Sequence, residues 1–140
     1  CDTAVVSGIG GVNIIEIIKK DNHKTGCFIL QPMGHADRLR LFLDGNGYRI
    51  INEDMVYENR RYYHIIKAVQ GSSEGLNDTQ AELGPRLLEA KHKVLYRYIL
   101  REINRYEAIA DSAAADSSVL DDARSRVARY KEVLLSCYAR

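Results

Sequence analysis

The sequence predicts an α/β fold in two parts: the second half of a doubly wound sheet with an antiparallel edge hairpin, followed by an antiparallel pair of long helices. Three patterns carry this prediction. Short apolar runs end abruptly in Gly or Pro, two alternating runs follow in succession, and two long stretches with apolar residues at three-four spacing come last. The polar stretch at residues 71–78 separates the two parts, so we predict domains at 1–75 and 76–140.

The first part alternates strands with helices. Residues 3–7 predict a strand and 11–20 the helix after it. Residues 27–31 predict a second strand, and 35–46 a second helix with Arg40 on its solvent side. Because the first apolar run begins almost at the start of the chain, without a neighbour upstream, we expect this part to be the second half of a larger catalytic domain.

Two pairs of elements follow. Residues 48–58 and 60–70 alternate apolar and polar side chains around a tight turn, which predicts an antiparallel hairpin. Residues 86–110 and 118–138 predict two long helices joined by a short loop.

The apolar stripes of the two helices are typical of an antiparallel coiled-coil hairpin. Either Asp116 or Ser117 can cap the second helix. The stripe residues are Leu95, Ile99, Ile103, Tyr106 and Ala110 in the first helix and Leu120, Ala123, Val127, Tyr130, Leu134 and Cys137 in the second.

Composition and charge exclude several classes of protein. The formal net charge is +1, so no overall field indicates a nucleic-acid or membrane partner, although residues 86–140 are mildly basic. Apolar runs are too short for a membrane helix. Cys1, Cys27 and Cys137 lie far apart without metal-ligand spacing. We therefore expect a cytoplasmic protein with reduced thiols, no metal and no membrane partner.

The segment Ser7-Gly8-Ile9-Gly10-Gly11 joins the first strand to the first helix. Glycines let the backbone approach a bound group, and helix N-terminal amides favour electronegative atoms, so the segment is a candidate cofactor-binding loop. It departs from the dinucleotide-binding fingerprint, whose third glycine would fall on Asn13. A tight strand-to-helix turn without a ligand is the alternative.

Gln31, Pro32 and Met33 end the second strand. The amide of Gln31 offers a donor and an acceptor to a base or ribose edge, which makes the three residues candidates for substrate binding. A plain strand terminator is the alternative interpretation.

Basic side chains recur at every fourth position of the first long helix, which suits contacts with phosphate groups. A solvated helix face paired with Glu89 and Glu102 is the alternative, and the same two interpretations apply to residues 60–63 at the hairpin tip. The basic residues of the helix are Lys93, Arg97, Arg101 and Arg105.

Several motifs, taken in order, carry a resemblance. GIGG at 8–11, FILQPM at 28–33, LRLFLDGNGYRI at 39–50 and ELGPRLLE at 82–89 together resemble the bacterial tRNA (adenine-22 N1)-methyltransferase family. The family's loop usually reads GMGG, so Ile9 is a departure. The resemblance implies a Rossmann-like methyltransferase domain followed by a helical coiled-coil domain, with S-adenosyl-L-methionine as cofactor and tRNA as partner.

The resemblance also implies positions for the candidate residues. It places Ser7–Gly11 beside the cofactor methyl group and the target adenine, residues 31–33 on the same rim, and the two long helices in a tRNA-docking appendage. The implied reaction is in-line methyl transfer to adenine N1, for which no residue stands out as a catalytic base. The family's first glycine motif and its cofactor-ribose acid have no counterpart in this chain.

Two other functions stay open. The chain can act as a noncatalytic RNA- or protein-binding module that uses its basic helices. It can also act as an oligomerisation module, because an unpaired strand at residues 3–7 would pair with another copy.

Overall fold

A mixed four-stranded sheet forms the centre of the first part of the chain. This computed structural model describes residues 2–73, 75–112 and 116–139. The strands are β1 (Thr3–Ile9), β2 (Cys27–Pro32), β3 (Tyr48–Glu58) and β4 (Arg61–Gln70). The α-helices are α1 (Gly11–Asp21), α2 (Ala36–Gly45), α3 (Asp78–Leu83), α4 (Pro85–Glu89), α5 (Lys93–Ala110) and α6 (Ser117–Val133).

The strands lie in the order β1-β2-β4-β3. β1 pairs with β2 in parallel, and β4 is antiparallel to both of its neighbours. It follows that β3 runs parallel to β2. The C-terminal ends of β1, β2 and β3 therefore all lie at the same end of the sheet. The predicted hairpin is confirmed, with its turn at Asn59 and Arg60. β1 lies at the side of the sheet, and its Val5 side chain is 68% exposed.

The core of this sheet follows the two periodicities in the sequence. α1 and α2 each bury apolar residues one helical turn apart, and the strands bury alternate residues. The core residues are Ile14, Ile18, Phe28, Leu30, Leu39, Leu43, Tyr48, Ile50, Ile66 and Ala68.

A buried ion pair connects α2 with the hairpin. Arg40 was predicted on the solvent side of α2, which is wrong, because its side chain is fully buried. Its Nε donates to Glu53 Oε2 at 2.8 Å, and its Nη2 donates to His64 Nδ1 at 2.9 Å. The guanidinium is tolerated inside because fixed acceptors on β3 and β4 surround it.

The same ion pair holds the turn between α3 and α4. Arg40 Nη1 donates to the carbonyl oxygen of Ala81 at 2.8 Å, and the backbone amide of Arg86 donates to Glu53 Oε1 at 2.9 Å. Gly84 adopts φ +98°, and a Cβ there would lie 3.0 Å from Arg40 Nη2 and from both Glu53 carboxylate oxygens. A glycine is needed at this position for both reasons.

The chain forms two compact units, and the boundary between them lies between His92 and Lys93. The sequence placed the boundary at 75 and 76, inside a stretch expected to be only a linker. A capping box at Asn77 starts α3 there, and α3 and α4 pack against α2 and β3. The first unit therefore includes both short helices.

The second unit contains α5 and α6. Tyr106 contacts Tyr130, with ring centroids 6.3 Å apart, and Tyr96 contacts Tyr138 at 5.3 Å, so the helices run antiparallel. Asp116 caps α6 by accepting from the backbone amides of residues 118 and 119, as predicted. Of the joint predicted at 111–117, residues 113–115 lie outside the described part.

Two predicted helix boundaries are wrong. Residues 86–110 do not form one helix, because Lys91 adopts φ +50° and separates α4 from α5. The second long helix keeps α-helical geometry only to Val133 and continues as a π-helical turn, Leu134–Tyr138. None of the described helices has the length and apolar composition needed to span a bilayer.

Candidate functional site

The candidate site is the edge of the sheet where β1 and β2 end. Residues 7–11 and 31–33, here called the rim, meet there. The backbone amide of Met33 donates to the carbonyl oxygen of Ile9 at 2.8 Å. Parallel pairing of β1 with β2 thus brings the two candidate segments together, although more than twenty residues separate them in sequence.

Gly8 interrupts the regular ladder of β1. The register with β2 shifts between Ser7 and Ile9, and Gly8 adopts φ +78°, a left-handed conformation that favours glycine. The predicted loop at residues 7–11 is therefore wrong in its extent, because β1 continues to Ile9 and Gly10 alone separates it from α1.

Gly11 is required by a close backbone approach. Its amide donates to the carbonyl oxygen of Gly34 at 2.8 Å. A Cβ on Gly11 would lie 2.6 Å from the carbonyl oxygen of His35 and 2.7 Å from that of Gly34, closer than real Cβ atoms come. Sequence reasoning did not single out Gly34, and the only signal for it was a glycine two residues after the end of the second strand.

The space around the other two rim glycines is open. A Cβ on Gly8 or Gly10 would meet no atom within 4 Å. α1 begins beside them without a side-chain cap and without an acidic residue in its first turn. The positive end of its helix dipole is therefore not offset by a side chain of its own first turn, which favours an electronegative group there.

Gln31 uses part of its amide to hold the rim. Its Oε1 accepts from the backbone amide of Gly8 at 3.2 Å, and its Nε2 lies 3.5 Å from Met33 Sδ. Met33 is 45% exposed and Pro32 is buried. None of the rim side chains titrates near neutral pH, so the rim is suited to positioning reactants rather than to acid–base catalysis.

The basic residues of α5 belong to the second unit, and the rim belongs to the first. The side chains of all four predicted residues are exposed on α5. Arg105 Nε donates to Glu102 Oε2 at 2.6 Å, and Arg101 Nη2 lies 3.4 Å from Glu102 Oε1. The alternative interpretation, pairing with Glu102, thus applies to these two arginines, whereas Glu89 pairs with Arg86 at 3.0 Å.

Contacts with neighbouring residues stabilise the protonated form of Arg105. Partial burial acts to lower its pKa, but the hydrogen bond and the charge of Glu102 outweigh it, and the pKa is raised. The guanidinium also lies 4.5 Å from the centroid of the Tyr106 ring. Arg105 is therefore a fixed cation whose charge the buried carboxylate of Glu102 partly compensates.

Other features of the described residues do not contribute to the rim. A cavity of about 580 Å³ is lined by residues that include Tyr48 and Ile51. These two residues lie at the N-terminal end of β3, which is the end of the sheet away from the rim. In the ranges that the structure describes, no His, Cys, Asp or Glu side chains cluster closely enough to hold a metal ion. Cys27 and Cys137 are free thiols, and Cys1 lies outside those ranges.

Residues 1–132 match the model of the TrmK family, tRNA (adenine(22)-N(1))-methyltransferase. The chain belongs to this family. The family indicated by the sequence motifs is thereby confirmed, together with the Rossmann-like α/β fold that those motifs implied.

Two individual relatives agree with this assignment. The tRNA (adenine(22)-N(1))-methyltransferase of Bacillus subtilis is 28% identical over 147 aligned positions, which cover 95% of this chain and 62% of that protein. A candidate tRNA methyltransferase of Mycoplasma pneumoniae is 30% identical over 120 positions, covering 83% of this chain and 56% of its own length.

A solved structure shows the same fold. M. capricolum TrmK, determined with the cofactor product S-adenosyl-homocysteine, superposes with a TM-score of 0.82 at 23% identity. The superposition covers 94% of this chain and 58% of that one. The chain thus spans roughly three fifths of the length of each of these three proteins.

Proposed function

We propose that this chain forms the part of an S-adenosyl-L-methionine-dependent enzyme that methylates N1 of adenine 22 in tRNA. The observation that carries the proposal is the rim, in which Gly8 and Gln31 are hydrogen-bonded at the shared end of β1 and β2 in a member of this family. Open α/β sheets bind their ligands at such an edge.

The rim fits the proposed cofactor. The open space at Gly8 and Gly10 lets a ligand approach the backbone, and the uncapped start of α1 favours electronegative atoms. We assign cofactor binding to Ser7, Gly8, Ile9, Gly10 and Gly11. When bound, S-adenosyl-L-methionine supplies an electrophilic methyl group.

Gln31, Pro32 and Met33 are the residues that we assign to the adenine. Gln31 Oε1 accepts from Gly8 and one N–H of its Nε2 donates to Met33 Sδ, so a second N–H and a second lone pair of the amide remain to orient a base edge. Adenine N1 attacks with a lone pair of its ring, which needs no prior removal of a proton. A rim without titratable side chains is compatible with catalysis by positioning, once the base is exposed from its pairing.

The α5–α6 hairpin is proposed as a coiled-coil appendage that contacts tRNA. Its support is the antiparallel packing and the exposed stripe on α5. Phosphate contacts would be made by Lys93, Arg97, Arg101 and Arg105.

A deletion experiment tests the enzymatic proposal. Removing the gene from its host is expected to abolish 1-methyladenosine at position 22 of tRNA, measured by mass spectrometry of nuclease digests. Expression of the unaltered protein should restore the modification. Gly11→Ala should not restore it, because its Cβ collides with two carbonyl oxygens, whereas Gly45→Ala, which lies outside the rim and whose Cβ meets no atom within 4 Å, serves as the matched control. Full modification without the gene would refute the proposal.

We also propose that the chain associates with itself through the edge of β1. This edge is unpaired in the described sheet, and Val5 of β1 is 68% exposed. Sedimentation should show dimers of the 140-residue chain that Val5→Lys dissociates. A strict monomer at high concentration would contradict this proposal.

A further inference from the structure

The β3–β4 hairpin extends well beyond the end of β2. Leu30 is level with Ile66, so Pro32, two residues on, is level with His64. Residues 56–63, here called the hairpin arm, continue past that point through the pairs Val56–Tyr63, Tyr57–Tyr62 and Glu58–Arg61. Three residues per strand correspond to an extension of about 10 Å.

The arm projects from the same end of the sheet as the rim, the end at which β1, β2 and β3 have their C-termini. β3 runs parallel to β1 and β2, so its C-terminal end, where the arm begins, lies at the edge where the rim is formed. Both features belong to one compact unit. A large substrate whose reacting base lies at the rim would therefore pass close to the arm.

The positive charge of the arm is compensated only in part, because two arginines stand against one glutamate. Arg60 and Arg61 are exposed, and neither guanidinium has an ion pair within the described ranges of the chain. Glu58 faces Arg61 in the register and is the arm's single acidic residue, which leaves Arg60 unopposed. This is a surface that complements phosphate.

An aromatic pair lies directly behind these arginines. The rings of Tyr57 and Tyr62 have centroids 4.6 Å apart at an interplanar angle of 40°, and Tyr57 is 41% exposed. The cross-strand contact orders the rings, and an ordered, exposed ring is a platform for an unstacked base.

The turn itself keeps Arg60 in an unfavourable conformation. Asn59 and Arg60 have φ of +51° and +64°, the geometry of a two-residue hairpin turn. Glycine is the residue that suits the second position, whereas an arginine there is strained. A charged side chain at a position that the fold alone would assign to glycine points to a binding role.

We propose that the hairpin arm binds tRNA next to the reacting base, with Arg60 and Arg61 on backbone phosphates and Tyr57 against an unstacked base. The proposal rests on the proposed function and adds a contact to it from the catalytic unit itself.

Titration of an unmodified tRNA transcript carrying adenine 22 into the fluorescently labelled protein, at several salt concentrations, tests the arm. Arg60→Ala/Arg61→Ala should raise Kd about tenfold and reduce the salt slope by roughly two. Lys20→Ala/Lys24→Ala is the matched control, because it removes the same charge from exposed residues at the opposite edge of the sheet. It should change Kd by less than about twofold, since charges separated by more than a Debye length are screened.

A second variant separates binding from folding. Arg60→Gly should bind tRNA more weakly without a lower unfolding midpoint, because glycine relieves the left-handed strain as it removes the charge. Unchanged tRNA affinity in both arm variants would overturn the proposal, and the arm would then fit a protein partner instead. If the deletion strain loses 1-methyladenosine 22 while the arm variants bind normally, only the role of the arm is wrong.

Discussion

The middle and the tip of the β3–β4 hairpin differ in the environment of the arginines that lie there. At the middle, Glu53 and His64 enclose Arg40, whose side chain is 0% exposed. At the tip, Arg60 and Arg61 are exposed without an ion pair in the part of the chain that is described. The difference teaches that fixed acceptors on neighbouring elements decide whether an arginine stabilises the fold or is available to a ligand.

The largest effect is expected from breaking the buried pair. Arg40→Leu leaves the Glu53 carboxylate buried without its cation, and should lower the free energy of unfolding by about 3–5 kcal/mol in urea titrations. Arg38→Leu, at an exposed position of the same helix, should change it by less than about 0.5 kcal/mol. The double variant Arg40→Leu/Glu53→Leu should recover part of the loss, and equal effects of Arg40→Leu and Arg38→Leu would contradict our view of the middle region.

A smaller effect is expected at the glycine that covers this pair. Gly84→Ala places a Cβ 3.0 Å from the charged groups of Arg40 and Glu53 at φ +98°. We expect a loss of about 1–3 kcal/mol by thermal or urea unfolding, from strain and overpacking together. Gly45→Ala, where a Cβ meets nothing within 4 Å, is the control and should be nearly neutral.

Replacing the arginine at the tip of the hairpin should raise the stability of the protein, whereas replacing Arg40 lowers it. Arg60→Gly removes a left-handed arginine, so stability should rise by up to about 1 kcal/mol, offset in part by the greater freedom of glycine in the unfolded chain. Urea titration gives this value independently of tRNA binding. A clear loss of stability would show that the Arg60 side chain has a structural role, as Arg40 has.

The smallest effect concerns an exposed carboxylate in the second unit. Hydrogen bonds from the Ser118 hydroxyl and the Val119 amide lower the pKa of Asp116 below its usual 3.8. The stabilisation of the folded state by the Asp116 carboxylate is therefore fully present above the pKa of this group in the unfolded chain. It is lost as pH falls through the lower pKa of the folded state. Unfolding midpoints measured from pH 6 to pH 2 should show this loss. Asp116→Asn, which caps a helix equally well but does not titrate, should show a weaker dependence on pH.

Local patterns in the sequence were sufficient for most of the elements. The alternation at 48–58 predicted β3 with its observed bounds, and Asp116 was one of two predicted caps of α6. The candidate segments of the rim were also found from sequence, because strands that end in glycine or proline have a local signature. Which backbone atoms of Gly11 and Gly34 meet was not predictable, since the contact joins two different turns.

The sequence by itself determined the periodicities, the hairpin, the positions of the rim segments and the family. Only the tertiary structure decided that Arg40 lies inside, that α3 and α4 belong to the first unit, and that the rim and the hairpin arm share one edge. The physical reason is distance along the chain. Periodicity and caps act within a few residues, whereas the partners of Arg40 lie 13, 24 and 41 residues away, where only packing of the sheet and helices brings them together.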